Sequence, residues 1–429
     1  MTSPRALRVD FSVEILMKLL VFCSPDTPEA VRALYGHEVF LVLDIHQSLN
    51  GLRPTSVLML DFMQKQDLNA VLEHMPDVVE FAREMQRKHG PIDRVVSFNE
   101  ATNYAAAELR EELSVPGDTR AVAELYRDKW AMYETFTRAG LRTPETRRLT
   151  RSSTVTALEG MRESVVLKPR DQAASRGVRI VERDAFTPDM VPEGPRGELL
   201  AQDCIEGEYY HFDVAFRDGT PVFCGVNRYL YHGLDWASGE APMASVTEHR
   251  ADRLGKAHHL VRAIGEAFDV GSRVLHIEAF WVAADDDFTL IELADRPGGA
   301  LIVPAHEAAG GPNLEAECIR SQLPDVRPAH TGDPVVPAPH CWIVTPLPGF
   351  GPYVVEGDNR DELSLLTEPV VQIVPEAGEL LHDRYRYRNP SGKFVFLGEK
   401  AATDARHVAE SFRLDVAAID TRVSGYWKN

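Results

Sequence analysis

The segment VLHIEAFWVAADDDFTLIELADRPGG, Val274 to Gly299, decides how the rest of the chain is read. Two runs of alternating character flank the turn signal Asp285–Asp287, which predicts an antiparallel hairpin. Setting Val282 opposite Phe288 across that turn places Glu278 opposite Glu292. Strand side chains alternate between faces, so His276, Glu278, Glu292 and Arg296 share one face and Trp281 takes the other, toward a core. Two like charges directly opposed destabilise a sheet unless something cancels them. Magnesium is a hard ion that takes carboxylate and phosphate oxygens, and it is the expected counter-ion for Glu278 and Glu292.

Upstream, VVLKPRDQAASRGVRIV (Val165 to Val181) reads as a strand ending in Lys168, a loop of small residues, and a second strand. Small residues at Ala173, Ala174, Ser175 and Gly177 let backbone amides close over phosphate oxygens, and a lysine at the strand end adds a point charge. From about residue 141 the texture is short β segments with turns, a mixed α+β region. Within it, YHFDV puts His211 and Asp213 on one strand face, where substrate contact and structural hydrogen bonding are both open. Asn227, Arg228 and Tyr231 could line an acceptor pocket or simply pack at the surface. His258 and His259 lie in a polar helical run with no carboxylate at metal spacing, so a solvated pair is expected.

The first 120 residues alternate differently. Ile15–Cys23 (ILMKLLVFC) is too short to span a bilayer, is interrupted by Lys18, and reads as a buried first strand. Thr27 and Pro28 mark a helix start. PDVVEFAREMQRKHG is helical with a stop at Gly90, IDRVVSF is a strand ending in Asn99–Glu100, and AAAELREEL is helical again. This alternation predicts an open parallel sheet with helices on both faces, and ligands collect beyond the carboxyl ends of such strands. TRAVAELYRDKWAMYETFTRAG reads as one long helical stretch containing Lys129. Prolines from Pro324 to Pro339 mark a connector to a β-rich region with a helix near His407–Phe412.

At 429 residues the chain calls for two or more cores. Its 46 Lys+Arg against 65 Asp+Glu give a net charge of −19 with no basic patch, which argues against nucleic acid and anionic membranes as partners. Five scattered cysteines without a CxxC pair fit a reducing cytoplasm rather than a disulfide framework or zinc site. No GxSxG, HExxH or Walker A pattern occurs.

The strand-Lys-Pro motif with its small-residue loop, followed by H-x-E, a hairpin and E-x-x-x-R-P-G-G, resembles the ATP-grasp superfamily, and specifically its carboxylate–amine ligases of the L-amino-acid ligase type. LSVPGDTRAVAELYRDKWAMYETFTRAGLRTPE resembles the stretch that joins the family's first two domains. The resemblance implies an ATP-grasp fold of α/β and α+β domains. An N-terminal open parallel sheet (residues 1–125) would be followed by a small lobe (126–205), a large lobe with the metal site (206–325) and a small C-terminal β-rich domain (326–429). It makes Lys129 and Lys168 the phosphate-binding lysines and Ser175, Arg176, Gly177 and Val178 the loop over the β- and γ-phosphates. AQDCIEG resembles the interdomain hinge, with the backbone of Asp203, Cys204 and Ile205 against adenine. Glu278 and Glu292 would hold Mg2+, Arg296 would face the transferred phosphoryl group, and Glu100 could anchor a substrate ammonium. Two departures stand out. The family's ribose-binding glutamate lies two residues after the hinge glycine, where this chain has Tyr209, so Glu208 would have to serve; and an asparagine expected two residues beyond the second metal glutamate is Ala294.

The implied reaction is ATP-dependent joining of a small-molecule carboxylate to an amine through an acyl phosphate, as in dipeptide, γ-glutamyl amide or other natural-product amide synthesis. Glu100 and His276 are the candidate bases for the amine proton. Relatives often dimerise, which leaves a homodimer open. A carboxylating enzyme of the biotin-carboxylase or purine-pathway type and a nucleotide-binding scaffold without catalysis are the alternatives. The sequence PGGALIVP after Arg296 lacks the R-x-Q-V-E pattern of the carboxylases.

Overall fold

The structure, a computed structural model, describes residues 17–63, 67–193, 197–231, 233–324, 336–347, 352–382 and 390–419. Lys18–Phe22, Glu38–Asp44 and Arg94–Ser97 are short apolar runs, and Ser56–Leu60 alternates. They form a four-stranded, wholly parallel sheet in the order Ser56–Leu60, Glu38–Asp44, Lys18–Phe22, Arg94–Ser97. The three apolar runs are buried because helices cover the sheet, which is why they read as continuous hydrophobic stretches. Thr27 caps the helix Pro28–Arg32 by accepting from the Ala30 amide, and Gly90 closes the helix Met75–His89 with φ +92°. The strand Arg94–Ser97 ends just before Asn99 and Glu100, delivering them to the carboxyl edge of the sheet.

A second, antiparallel sheet of four strands runs Thr146–Leu149, Leu199–Asp203, Ser164–Pro169, Arg179–Glu182. One face buries Leu149, Val165, Leu167, Leu199 and Ala201. The third sheet has eight strands. Its order is Asp287–Asp295, Arg273–Val282, Glu208–Arg217, Thr220–Tyr229, Met243–Thr247, His340–Thr345, Gly392–Leu397, Val371–Ile373. The helix Ala251–Ala267 covers it by packing Ala257, Val261 and Ile264 among Phe212, Val214, Leu275 and Ile277. Residues C-terminal to the proline-rich stretch therefore extend this sheet through the pairing of Met243–Thr247 with His340–Thr345. They add a three-stranded sheet of Leu380–His382, Pro352–Asp358 and Leu414–Ala418 and the helix Ala401–Ser411. Most of the proline-rich connector, 325–335, lies outside the described residues, as does the start of the stretch expected to form the first strand.

Two details differ from the reading of the sequence. The long helical stretch is two helices, Arg120–Leu125 and Lys129–Arg138, because Asp128 adopts extended backbone and accepts from the Trp130 amide as the cap of the second. Lys129 thus begins a helix. In the hairpin, Val282 pairs with Asp287 and Trp281 with Phe288, one residue out of the expected register. A bulge at Ile291 absorbs the difference, and Glu278 still lies opposite Glu292.

Candidate active site

A cleft with a cavity volume of about 130 Å³ lies between the small antiparallel sheet and the hairpin. Its apolar walls are Val166 and Ile180 on one side and Phe280 and Ile291 on the other. The bulge explains the second wall: Leu290 stays in the core while Ile291 and Glu292 both reach the cleft. Trp281, on the opposite face, packs on Phe288 in the core.

Four charged side chains meet at the polar end. Lys168, 4% exposed, donates to the Gln202 side-chain oxygen at 2.8 Å and stands 3.9 Å from Glu292. Burial, helped by the neighbouring Lys129 charge, lowers its pKa to about 8 against the pull of Glu292 and Glu278. Lys129 donates to the Gln172 carbonyl at 2.6 Å and lies 3.5 Å from the same Glu292 oxygen. Glu278 accepts from the Tyr209 hydroxyl and faces His276 Nε2 at 3.4 Å. Burial would raise the Glu278 carboxyl, but His276, Tyr209 and Arg296 together hold it below the usual range. His276 is in turn gripped by Asp213 at 2.8 Å, and Asp213 also meets His211 at 2.6 Å and His306 at 3.3 Å. The His211–Asp213 face is therefore the buried back of the site, and His276 is pushed up to about 9 because Asp213 and Glu278 outweigh its burial.

Beyond these groups, Arg296 donates to Glu100 at 2.8 Å, and the other Glu100 oxygen accepts from Arg127 at 2.5 Å. Glu100 is buried, which alone would raise its pKa. The guanidinium groups of Arg296 and Arg127, with Lys129 nearby, bring it down to about 2.

The loop after Lys168 holds Ala174 and Ser175 at φ +54° and +57°, conformations that cost energy in non-glycine residues and cluster at functional sites. Gly177 has φ +71°, and a Cβ there would meet the Pro169 ring at 2.9 Å, so the loop folds back on its own strand only with glycine. Ser175, Arg176 and Val178 line the cleft, as do Asp203, Cys204 and Ile205 at the end of the strand Leu199–Asp203. Asp203 uses its carboxylate to accept from the Arg162 amide, and the Asp203 and Cys204 amides donate to the Glu145 and Ser164 carbonyls at 2.9 and 3.2 Å. Glu208 is engaged by Arg253 and is not a cleft-lining residue, whereas Tyr209 is. Tyr209 is stacked between Tyr229 and Phe280 at 4.8 and 4.7 Å. His258 and His259 lie on the helix Ala251–Ala267, away from the lining residues of the cleft.

Sequence reasoning gave no role to Gln172, Gln202 or Arg127. Only Gln202 carried a signal, as a polar residue in the otherwise apolar run of the strand Leu199–Asp203, next to the hinge. Arg127 sits in a short link between helices and is recognisable only from its contacts with Glu100, Asn69 and Asp171.

The ATP-grasp domain family model matches residues 126–270, the stretch that contributes both lysines, the loop and the hinge. The fold is that of the ATP-grasp superfamily. An L-amino acid ligase from Bacillus licheniformis superposes with a TM-score of 0.70 at 14% identity, over 93% of this chain and 98% of that one. The biotin carboxylase domain of Hydrogenobacter thermophilus 2-oxoglutarate carboxylase, solved with MgADP, ADP and bicarbonate, superposes at 0.67 with 15% identity over 94% and 92%. A curated relative, the L-arginine-specific L-amino acid ligase of Bacillus subtilis, is 23% identical over 224 residues. That match spans 49% of this chain and about half, 53%, of the relative. Among the described residues, no helix of the protein is long and apolar enough to cross a membrane.

Proposed function

We propose that the protein is an ADP-forming ligase that joins a carboxylate, in the first instance an amino acid, to an amine. The observation that carries this reading is the convergence of Lys129, Lys168, Glu278 and Glu292 at the polar end of a cleft with apolar walls, with Arg296 just beyond. The walls suit a planar purine, and the backbone of Asp203 to Ile205 suits its edge. Lys129, Lys168 and the loop from Ser175 to Val178 suit the phosphates.

Glu278 and Glu292 offer hard oxygen donors on adjacent strands, which fits Mg2+ and would let it screen phosphate charge when bound. The chain's own residues do the rest. A free carboxylate is a poor electrophile because its leaving group would be an oxide. Its oxygen attacks the γ-phosphorus, ADP leaves, and the acyl phosphate then has phosphate as its leaving group. Lys129, Lys168 and Arg296 supply fixed positive charge around the transferring group without reorganising. The amine nitrogen then attacks the acyl carbon and must release a proton as phosphate departs. Glu100, held near pKa 2 between two arginines, is a poor acceptor; it fits better as the group that aims Arg296. Small-molecule substrates of this kind are consistent with the acidic surface and the enclosed cleft, and the comparison with L-amino acid ligases supports the choice of amino acids.

The test is phosphate release from MgATP against amino acids singly and in pairs, with mass spectrometry of the products. A product lighter than its two substrates by one water, formed with stoichiometric ADP, is expected. Phosphate release that depends on bicarbonate and not on an amine would replace this reading with carboxylation.

A further inference from the structure

A second cavity lies apart from the cleft. A space of about 310 Å³ lies on the other side of the hairpin's base, between the N-terminal sheet, the loop Pro116–Asp118 and the segment Ser321–Pro324. Its size suits a molecule of amino-acid dimensions or somewhat larger. Three guanidinium groups, Arg94, Arg110 and Arg273, face two carboxylates, Asp118 and Asp295, so the lining keeps one positive charge in excess.

The donors are unequally spent. Arg110, 7% exposed, is fixed with Nε and Nη2 on the Val95 carbonyl at 3.0 and 2.7 Å. Gly117 lets the loop lie over it, since a Cβ there would stand 2.7 Å from the Arg110 side chain. Arg273 uses both terminal nitrogens on Asp118 and Asp295, at 2.7 to 3.2 Å, while its Nε is enclosed without a hydrogen-bond partner among the described residues. Arg94 donates to the Asp93 carbonyl at 2.7 Å and keeps further N–H groups. An enclosed guanidinium N–H without a partner is costly unless a ligand or water meets it.

The cavity also touches the support of the proposed catalytic arginine. Asp295 immediately precedes Arg296, and its carbonyl accepts from Asn103 at 3.0 Å. Asn103 accepts from Ser97, the last residue of the strand that leads to Glu100. An occupant would thus tie the N-terminal sheet to the hairpin behind the Arg296–Glu100 pair.

We infer that this cavity is an effector site for a small organic carboxylate, bound between Arg94 and Arg273. A carboxylate matches the one excess positive charge, and guanidinium N–H groups recognise it directly. The site is separate from the cleft and does not depend on the reaction proposed for it.

Isothermal titration of the full chain without nucleotide, using L-alanine, L-glutamate and succinate as probes, tests the inference. At least one probe is expected to bind with an affinity that Arg94→Ala lowers tenfold or more and Arg296→Ala changes less than twofold. Arg94→Gln, which keeps part of the stem, should show the same loss, and thermal melts of each variant establish that it is folded. A crystal soaked with the bound probe should show it between Arg94 and Arg273. Absence of binding by all three probes, unchanged affinity in both folded Arg94 variants, or loss of binding in Arg296→Ala would overturn the site. ADP formation without added effector should remain at the wild-type level in Arg94→Ala, so failure here is distinguishable from failure of the ligase reading.

Discussion

Replacing Glu100 by glutamine keeps the shape of the side chain but removes the charge shared by Arg127 and Arg296. Glu100 is 7% exposed, and its pKa falls from 4.5 to about 2 because the two guanidinium groups outweigh its burial. A drop of that size corresponds to about 3 kcal/mol of preferential stabilisation of the carboxylate at neutral pH. Removing one partner of a buried ion pair typically costs about 3–5 kcal/mol, because the remaining charge stays buried without compensation. Arg127 is fully buried, and its Nε has no partner among the described residues, so it has little slack with which to relax. Glu100→Gln should therefore unfold at lower urea, with a loss of about 3 kcal/mol at pH 7.

The pH dependence carries a definite sign. The folded pKa lies below the unfolded one, so the stabilisation is complete above about pH 4.5 and is lost as pH falls toward about 2. The gap between wild type and variant should consequently narrow between pH 4.5 and 3. In turnover, Arg296 would lose its anchor while the nucleotide cleft stayed whole, so kcat should fall about a hundredfold with KM for ATP nearly unchanged. A variant within about 0.5 kcal/mol of wild type at pH 7, or a gap that does not change over that acid range, would refute the pairing as a source of stability.

Three other outcomes follow from the cleft. Glu292→Gln should reduce magnesium-dependent ADP formation by at least about a hundredfold with an unchanged circular dichroism spectrum; turnover like the wild type would remove its metal-ligand role. Gly177→Val should raise KM for ATP about tenfold with little change in melting temperature, since the strain falls on a loop at φ +71° against Pro169; an unchanged KM would show that the loop does not close on the nucleotide. Because Glu208 is turned to Arg253 and the cleft position is held by Tyr209, 2′-deoxyATP should support turnover within about threefold of ATP. A preference for ATP of about a hundredfold would mean that a polar side chain does reach the ribose.

The parts of this molecule legible in sequence are those where a local pattern has one physical solution. Continuous apolar runs alternating with helices fit a parallel sheet covered on both faces, and the two alternating runs around Asp285–Asp287 fit a hairpin. What the sequence concealed depends on partners brought from afar. Glu100 reads as an acid at the carboxyl end of a strand that could anchor a substrate ammonium, and only the approach of Arg127 and Arg296 makes it a buried, doubly paired one. Asp128 reads as a polar residue inside a helix until its extended backbone makes it the cap that starts the next helix at Lys129.

The hairpin register is the most instructive case, because the facing glutamates were placed correctly from an incorrect turn. Pairing Val282 with Phe288 assumes unbroken alternation, yet the residues of the second strand that join the hydrophobic core are Phe288, Leu290 and Leu293, spaced by two and then by three. A period of two cannot keep Leu290 and Leu293 on the same face, so an extra residue must lie between them. On the facing strand Trp281, Ala279 and Ile277 keep strict alternation, which assigns the bulge to the second strand alone. The tighter turn and the bulge shift the register by one residue in opposite senses and cancel before Glu292. The same bulge exposes Ile291 to the cleft beside Glu292, so one inserted residue supplies both an apolar wall and the acid next to it.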